Sequence, residues 1–218
     1  MSESSTTPAS SPSSPVAAAG GAKWTIFAIV GVLSLVADQL TKIWARASLP
    51  VVPLRAGGAA CIVPDDIVSR TCQGHPVEVI GGFWDWRLSM NPGSAFGLFS
   101  SQSIARVGLS VVGIAAVAGM VWMLHKARSD QRILHWALAL VAGGAIGNLI
   151  DRIYFGVVTD FILWRYQTHE WPVFNVADVV LVVGVGLMFI DIQKEGRREK
   201  ALKAARDEKA KSSGLVKV

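Results

Sequence analysis

The segment ILHWALALVAGGAIGNLI, residues 133–150, contains no charged side chain. A bilayer has a hydrocarbon core of about 30 Å, which a helix crosses with roughly 20 mostly apolar residues, and its backbone polar groups can pair there only with each other. Gly143 and Gly147, four residues apart within this segment, indicate close packing against a neighbouring helix. Three other stretches have a similar length and apolar character: residues 24–43, 107–124 and 172–190. The sequence therefore predicts an all-α integral membrane protein with four transmembrane helices and a small extracytoplasmic portion that is irregular or β-rich.

The composition of the 218-residue chain supports this class. Hydrophobic residues make up 51% of the chain and charged residues 17%, whereas a soluble globular domain has about 25% charged residues. Two cysteines are too few for a disulfide scaffold. The net charge of +5 does not by itself indicate a nucleic-acid binder in so apolar a chain. No nucleic-acid partner is expected.

Three regions follow one another along the chain. Residues 1–22 are rich in Ser, Thr, Pro and Ala and lack Lys and Arg, which predicts a disordered N-terminal extension rather than a signal peptide. Residues 23–192 form the four-span membrane domain, with a long extracytoplasmic loop at about residues 51–101. Residues 193–218 form a basic cytoplasmic tail, expected as an exposed helix or coil near anionic lipid. The distribution of Lys and Arg beside the spans predicts that both termini are cytoplasmic.

On this topology, one membrane face receives nearly every unusual polar residue. Ionisable groups at membrane depth are costly, so a cluster of them on one side indicates a functional site. The candidate site residues are Asp38, Lys42, Asn91, Gly93, Asn148, Asp151, Arg152, Asp160, Asn175 and Asp178.

Structural explanations are open for several of these residues. Asp38 and Lys42 are four residues apart and can form an ion pair along one helix. Arg152 can neutralise its neighbour Asp151 at the interface. Their presence alone therefore does not establish a site.

Two acidic residues stand out for different reasons. Asn175 followed three residues later by Asp178 is typical of a capping box, which would explain that carboxylate by helix formation alone. Asp160 has no comparable explanation, because it lies among apolar residues with no basic neighbour before Arg165. Two carboxylates in one apolar site permit acid–base hydrolysis, with one carboxyl protonated and the other ionised.

Other chemistries find less support. The chain has no HExxH zinc motif, no GxSxG nucleophile elbow and no P-loop. A small transporter or proton-conducting protein is the alternative function, and a structural membrane protein with polar interhelical contacts is a third possibility.

Five short motifs occur in order around the four apolar stretches: DQxTK from Asp38, NxGxAF from Asn91, GNxxDR from Gly147, VxDF from Val158 and FNxAD from Phe174. In this set and order the chain resembles the bacterial lipoprotein signal peptidases, or signal peptidase II, from about residue 24 to residue 191. The resemblance implies an aspartic endopeptidase of the bacterial inner membrane, with its active site toward the extracytoplasmic face. Such an enzyme cleaves the signal peptide from prolipoproteins immediately before a diacylglyceryl-modified cysteine.

The resemblance also implies individual roles and partners. Asp160 and Asp178 correspond to the catalytic pair, and the other candidate residues correspond to a supporting polar shell. No metal and no organic cofactor are implied. The implied partners are diacylglyceryl-modified prolipoproteins, membrane lipids and globomycin-like inhibitors.

The chain departs from this pattern in its N-terminal extension, its tail and an insertion at about residues 55–80. The insertion could form a lid or cradle over the site, or a disulfide-tied excursion. Cys61 and Cys72 within it could be disulfide-bonded, as an oxidising compartment favours, or free, and a catalytic thiol is a weak alternative. Thr159 replaces a second valine before Asp160, a mild change.

Overall fold

The computed structural model describes residues 16–93 and 102–212. Four long helices dominate it: α1 (Val16–Ser48), α3 (Gln102–Lys126), α4 (Arg132–Tyr154) and α5 (Val176–Ser212). A short helix, α2, covers Asp65–Val68. Each of the four long helices is long and apolar enough to cross a membrane, which confirms the helices expected from the apolar stretches.

Two boundaries differ from the sequence prediction. The fourth helix begins at Val176 rather than residue 172, because Phe174 still forms a β-bridge with Ile162. It then continues to Ser212, so the described part of the expected tail is helical. Residues 1–15 lie outside the described residues, and α1 begins at Val16, before residue 23, where the membrane domain was predicted to start.

Helix α4 lies at the centre of the bundle, where it contacts the other three long helices and approaches α1 and α5 closely through small residues. A side chain at Gly143 would meet the backbone oxygen of Gly31 in α1, and one at Gly147 would meet the carboxylate of Asp38. At Gly144 it would meet the backbone of α5. The close packing predicted from the glycine spacing is confirmed, because only a residue without Cβ permits these approaches.

A four-stranded antiparallel sheet covers one end of the bundle. Its strands are β3 (Val77–Ile80), β4 (Trp84–Asn91), β5 (Val158–Tyr166) and β6 (His169–Glu170), in that spatial order. Strand β5 comes from the connection between α4 and α5, so the sheet joins this connection to the long loop. The register pairs Ser89 with Asp160 and Asn91 with Val158. An apolar cluster including Leu88 and Phe161 holds the sheet against the end of α1.

The insertion supplies β3 of this sheet, and its remaining part packs against β4. Strands β1 (Val51–Pro53) and β2 (Cys72–Gly74) pair with each other, and Cys61 is disulfide-bonded to Cys72. The disulfide expectation is confirmed, and the free-cysteine and catalytic-thiol alternatives are wrong. Val63 and Ile67 pack against the apolar cluster beneath the sheet. The insertion is therefore a disulfide-tied excursion that extends the core.

Candidate active site

Two acidic side chains come from different elements at the end of the bundle that the sheet covers. Asp160 is the third residue of β5 and is 2% exposed. Asp178 is the third residue of α5 and is half-buried. The antiparallel pairing of β4 with β5 fixes the backbone position of Asp160, and the first turn of α5 fixes that of Asp178.

The start of α5 is a reciprocal capping box. The backbone N–H of Asp178 donates to Asn175 Oδ1 at 3.0 Å, and the backbone N–H of Asn175 donates to Asp178 Oδ2 at 3.2 Å. This confirms the arrangement predicted from the spacing of the two residues. The carboxylate is also favoured there by the helix macrodipole. Asp178 Oδ1 remains for another partner, and it accepts a hydrogen bond from Asn148 Nδ2 at 3.0 Å.

Asn175 also contacts the second acid. Its Nδ2 donates to Asp160 Oδ1 at 2.7 Å and to Asn148 Oδ1 at 3.1 Å. Asn175 therefore donates from its side-chain amide nitrogen to the Asp160 carboxyl group. Its side-chain oxygen accepts from the backbone N–H of Asp178, and its own backbone N–H donates to the Asp178 carboxylate. The structure brings both predicted acids into one hydrogen-bonded network.

Asn91 and Gly93 orient the other side of Asp160. Asn91 Nδ2 donates to Asp160 Oδ2 at 3.1 Å. The amide oxygen of Asn91 accepts a hydrogen bond from the backbone N–H of Gly93 at 2.9 Å, which directs the amide nitrogen toward the acid. Gly93 adopts a φ of +82°, in the left-handed region where a side chain is disfavoured. The glycine therefore supports the turn that aims Asn91.

The surroundings of Asp160 favour its protonated form. Burial raises the pKa of this carboxyl to about 7, and the nearby charge of Asp178 acts in the same direction. Hydrogen bonds from Asn91 and Asn175 oppose the rise, as does the positive charge of Lys42. Near neutral pH, Asp160 can therefore carry a proton beside a second carboxyl group.

Lys42 lies beneath these residues with its side chain fully buried. Its Nζ donates to Asn148 Oδ1 at 2.7 Å and is 2.9 Å from Asp38 Oδ2 and 3.6 Å from Asp151 Oδ2. The predicted ion pair between Asp38 and Lys42 is thus present. A single cation binds two buried carboxylates and also holds Asn148, so the ion pair is continuous with the acidic pair rather than separate from it.

Asp38 connects α1 to the start of α5. Its Oδ1 accepts a hydrogen bond from the backbone N–H of Ala177 at 2.9 Å, while Gln39 Nε2 donates to its Oδ2 at 3.1 Å. An N–H in the first turn of a helix has no intrahelical acceptor, so Asp38 supplies one from another helix. The position of Asp178 therefore depends on α1 as well as on its own capping box.

The ion pair that would explain Arg152 and Asp151 structurally is absent among the described contacts. Arg152 Nη1 instead donates to the backbone oxygen of Asn148 at 3.4 Å. Asp151 Oδ2 accepts from the backbone N–H of Thr159 at 2.8 Å, and Asp151 Oδ1 is 3.6 Å from Arg46 Nη1. Adjacent residues on a helix point in different directions, so the two side chains reach different partners.

Arg46 is a residue that the sequence analysis missed. Its Nη1 donates to Thr159 Oγ1 at 2.7 Å, and its guanidinium lies 4.5 Å from the ring centroid of Phe155. Arg46 therefore holds Thr159, which precedes Asp160 and is the residue that departs from the family pattern. A signal existed, because Arg46 follows Lys42 by four residues and therefore shares its face of α1.

The arrangement suits acid–base chemistry. One carboxyl has a pKa near neutrality, a second carboxyl lies in the same network, and amide groups fix both. This combination can supply a proton donor and a proton acceptor to one substrate. Within residues 16–93 and 102–212, no three His, Cys, Asp or Glu side chains form a group that could hold a metal ion.

Comparison with known proteins adds independent information. Residues 30–194 match the family model described as signal peptidase (SPase) II. The chain is 34% identical to a lipoprotein signal peptidase of Geobacter metallireducens over 177 residues, covering 81% of this chain and 95% of the relative. It is also 34% identical to a lipoprotein signal peptidase of Anaeromyxobacter sp. over 204 residues, covering 88% of this chain and 96% of the relative.

A solved structure shares the fold. A bacterial membrane enzyme determined by the in meso method at 2.3 Å resolution superposes with a TM-score of 0.58 and 26% identity. The match covers 78% of this chain and 88% of that enzyme.

Proposed function

The chain belongs to the signal peptidase II family of aspartic peptidases, which cleave signal peptides from prolipoproteins, and from this membership we propose that Asp160 and Asp178 are its catalytic pair. The scissile bond is the one immediately before the diacylglyceryl-modified cysteine. The observation that carries the proposal is the position of Asn175, which hydrogen-bonds both acids. A buried carboxyl with a pKa near 7 beside a second carboxyl also supports the proposal, because catalytic acids need a pKa close to the working pH.

The two acids take different roles. Asp160 is protonated, because burial and the charge of Asp178 both favour its neutral form. Asp178 is ionised, because it is half-buried at a helix N-terminus and accepts hydrogen bonds from Asn148 and the backbone N–H of Asn175.

Hydrolysis then proceeds in two steps. Ionised Asp178 takes a proton from water, whose oxygen attacks the scissile carbonyl carbon, while Asp160 gives its proton to the carbonyl oxygen. The resulting tetrahedral intermediate collapses when its carbon–nitrogen bond breaks. The proton held by Asp178 passes to the departing cysteine nitrogen, and the proton of the collapsing hydroxyl returns to Asp160. The step leaves both acids in their starting states.

The supporting residues hold this geometry. Asn91, directed by Gly93, and Asn175 fix the two oxygens of Asp160. Lys42 fixes Asn148 and compensates Asp38 and Asp151. Arg152 lies within electrostatic range of both catalytic acids and is free of an ion pair among the described contacts. We assign it to the substrate backbone, whose carbonyl groups a guanidinium can bind.

We also propose which end of the helical bundle faces the cytoplasm. Lys23, near the start of α1, donates to the backbone oxygens of His125, in the last turn of α3, and of Ala127, just after it, so these ends share one side of the bundle. The basic residues of α5 continue from that side. The positive-inside rule favours the cytoplasm for this side and the extracytoplasmic face for the acids. A substrate with its own signal helix and acyl chains can then enter from the lipid, and a globomycin-like inhibitor would compete with it.

The test is cleavage of a diacylglyceryl-modified prolipoprotein by purified protein in detergent or lipid. Asp160→Asn and Asp178→Asn should each lower kcat by at least about 10²-fold, the usual contribution of a general acid or base. Asp130→Asn is the matched control, since Asp130 is an exposed acid whose partners are Arg128 and Arg198. The acid pair is refuted if either folded site variant cleaves at the wild-type rate, and the peptidase assignment fails if wild type releases no signal peptide.

A further inference from the structure

A cavity of about 310 Å³ lies beside Asp178. Trp164, Trp171 and Phe174 line one part of it, and the α5 residues Val179, Val182 and Val183 line the other. We call these six residues the valine–aromatic groove. Asp178 is the one charged residue among its described lining residues.

The groove is preformed and open toward the surroundings of α5. Trp164 and Phe174 contact each other edge to face with centroids 5.0 Å apart, which fixes part of the aromatic wall. Val182 is 73% exposed and Val183 is 50% exposed, on a helix long and apolar enough to cross the membrane. In a bilayer these valines would face lipid. An apolar chain could therefore move between the lipid and the groove without crossing water.

The size of the groove decides between two apolar occupants. One turn of an α-helix, with a diameter of about 10–12 Å and a pitch of 5.4 Å, occupies roughly 400–600 Å³. A whole turn of a signal helix therefore does not fit inside the groove. An engineered cavity of about 150 Å³ takes up benzene, so a cavity of 310 Å³ suits a single hydrocarbon chain of roughly a dozen carbons.

We propose that the valine–aromatic groove receives one acyl chain of the diacylglyceryl group on the substrate cysteine. The proposal rests on the proposed function, since it takes the cysteine after the scissile bond as given. Only the cysteine side chain and the glycerol unit separate that cysteine's backbone from the first acyl carbon. The acyl chain must therefore begin close to Asp178, where the groove lies.

The groove would act by positioning rather than by affinity. Lipid tails are as apolar as the groove, so moving an acyl chain between them yields little hydrophobic free energy. A chain held by shape instead fixes the cysteine relative to the two acids, which is a contribution to transition-state geometry. The expected signature is a dependence of kcat/KM on acyl-chain length.

Two substrates with the same peptide, one carrying palmitoyl and one carrying butyryl chains, test this. Val182→Trp places a large ring in the groove and should lower the palmitoyl-to-butyryl ratio of kcat/KM by about tenfold, within the loss of up to about 10²-fold that misplacement of a reacting group causes. Val185→Trp is the matched control, because Val185 is an exposed valine of the same helix, 57% exposed, outside the groove lining. It should keep the wild-type ratio.

The outcomes separate the two proposals. If wild type cleaves both substrates and Val182→Trp keeps the wild-type ratio, the groove proposal is wrong and the peptidase assignment stands. If wild type cleaves neither, both fall together. Should Val182→Trp fail to fold, Asp160→Asn is irradiated with a substrate that carries a diazirine on its acyl chain. Adducts on Trp171 or on α5 at Val179–Val183 support the groove, and adducts confined to other helices overturn it.

Discussion

Replacing Lys42 by Met should destabilise the protein more than removal of any exposed cation. The Lys42 side chain is fully buried, and its Nζ is 2.9 Å from Asp38 Oδ2 and 3.6 Å from Asp151 Oδ2. Met keeps most of the side-chain volume but leaves the carboxylates without this cation. Asp151 still has Arg46 at 3.6 Å, whereas Asp38 has no other ion-pair partner among the described residues. The cost should therefore come mainly from Asp38.

The magnitude follows from this burial. Removing one partner of a buried ion pair costs about 3–5 kcal/mol, because the other charge stays buried without compensation. For a chain of this size, 1 kcal/mol corresponds to about 2–4 °C in Tm. Lys42→Met should therefore lower Tm by roughly 6–20 °C. The double variant Lys42→Met/Asp38→Asn should regain most of that loss, because it no longer buries the uncompensated carboxylate.

Thermal unfolding in one detergent, followed by tryptophan fluorescence, measures these shifts. Arg198→Met is the control, since Arg198 is 50% exposed and its pairs with Asp130 and Glu195 should change Tm little. If Lys42→Met shifts Tm no more than Arg198→Met does, Lys42 does not stabilise the protein by compensating buried carboxylates. The same holds if the double variant is no more stable than Lys42→Met alone.

Three further outcomes are expected. The pKa of Asp160 is about 7 in the folded protein, against 3.8 for an ordinary aspartate. Between these pH values the folded state binds more protons than the unfolded state. The free energy of unfolding should therefore fall by up to about 4 kcal/mol as pH rises from 4 to above 7. Asp160→Asn should flatten that slope in Tm measured against pH, and the kcat/KM of wild type should decline above about pH 7; a flat wild-type profile would contradict the assignment. Gly147→Ala should cost about 1–3 kcal/mol because its methyl group would collide with the Asp38 carboxylate, whereas Gly119→Ala, which has open space, should not lower Tm. Cys61→Ser/Cys72→Ser should lower stability by about 2–4 kcal/mol, and reductant should lower the Tm of wild type but not of this variant; equal responses would show that the disulfide does not brace the insertion.

Much of the helical architecture could be predicted from the sequence. The four apolar stretches predicted the long helices, because the need to bury backbone polar groups in lipid is met within each segment. The capping box at Asn175 and the ion pair between Asp38 and Lys42 were also predictable, since both involve residues three or four apart. Their geometry follows from the helix itself.

Contacts between site residues that are far apart in the sequence were harder to predict. One structural explanation paired Asp151 with Arg152, but Asp151 faces Arg46, Lys42 and the backbone of Thr159 instead. These partners are remote or belong to another element, so the local pattern did not reveal them.

The sequence alone determined which segments are helical, which acids lack a local partner, and which family the five motifs resemble. Each of these depends on residue type and short spacing. Only the tertiary structure decided that Asn175 contacts both acids, that Asn91 reaches Asp160, and that the start of α5 is held by Asp38. These contacts arise when α1, α4, β4 and the start of α5 pack around glycines at one end of the bundle. Packing distances between remote segments are a property of the whole chain, and no local pattern specifies them.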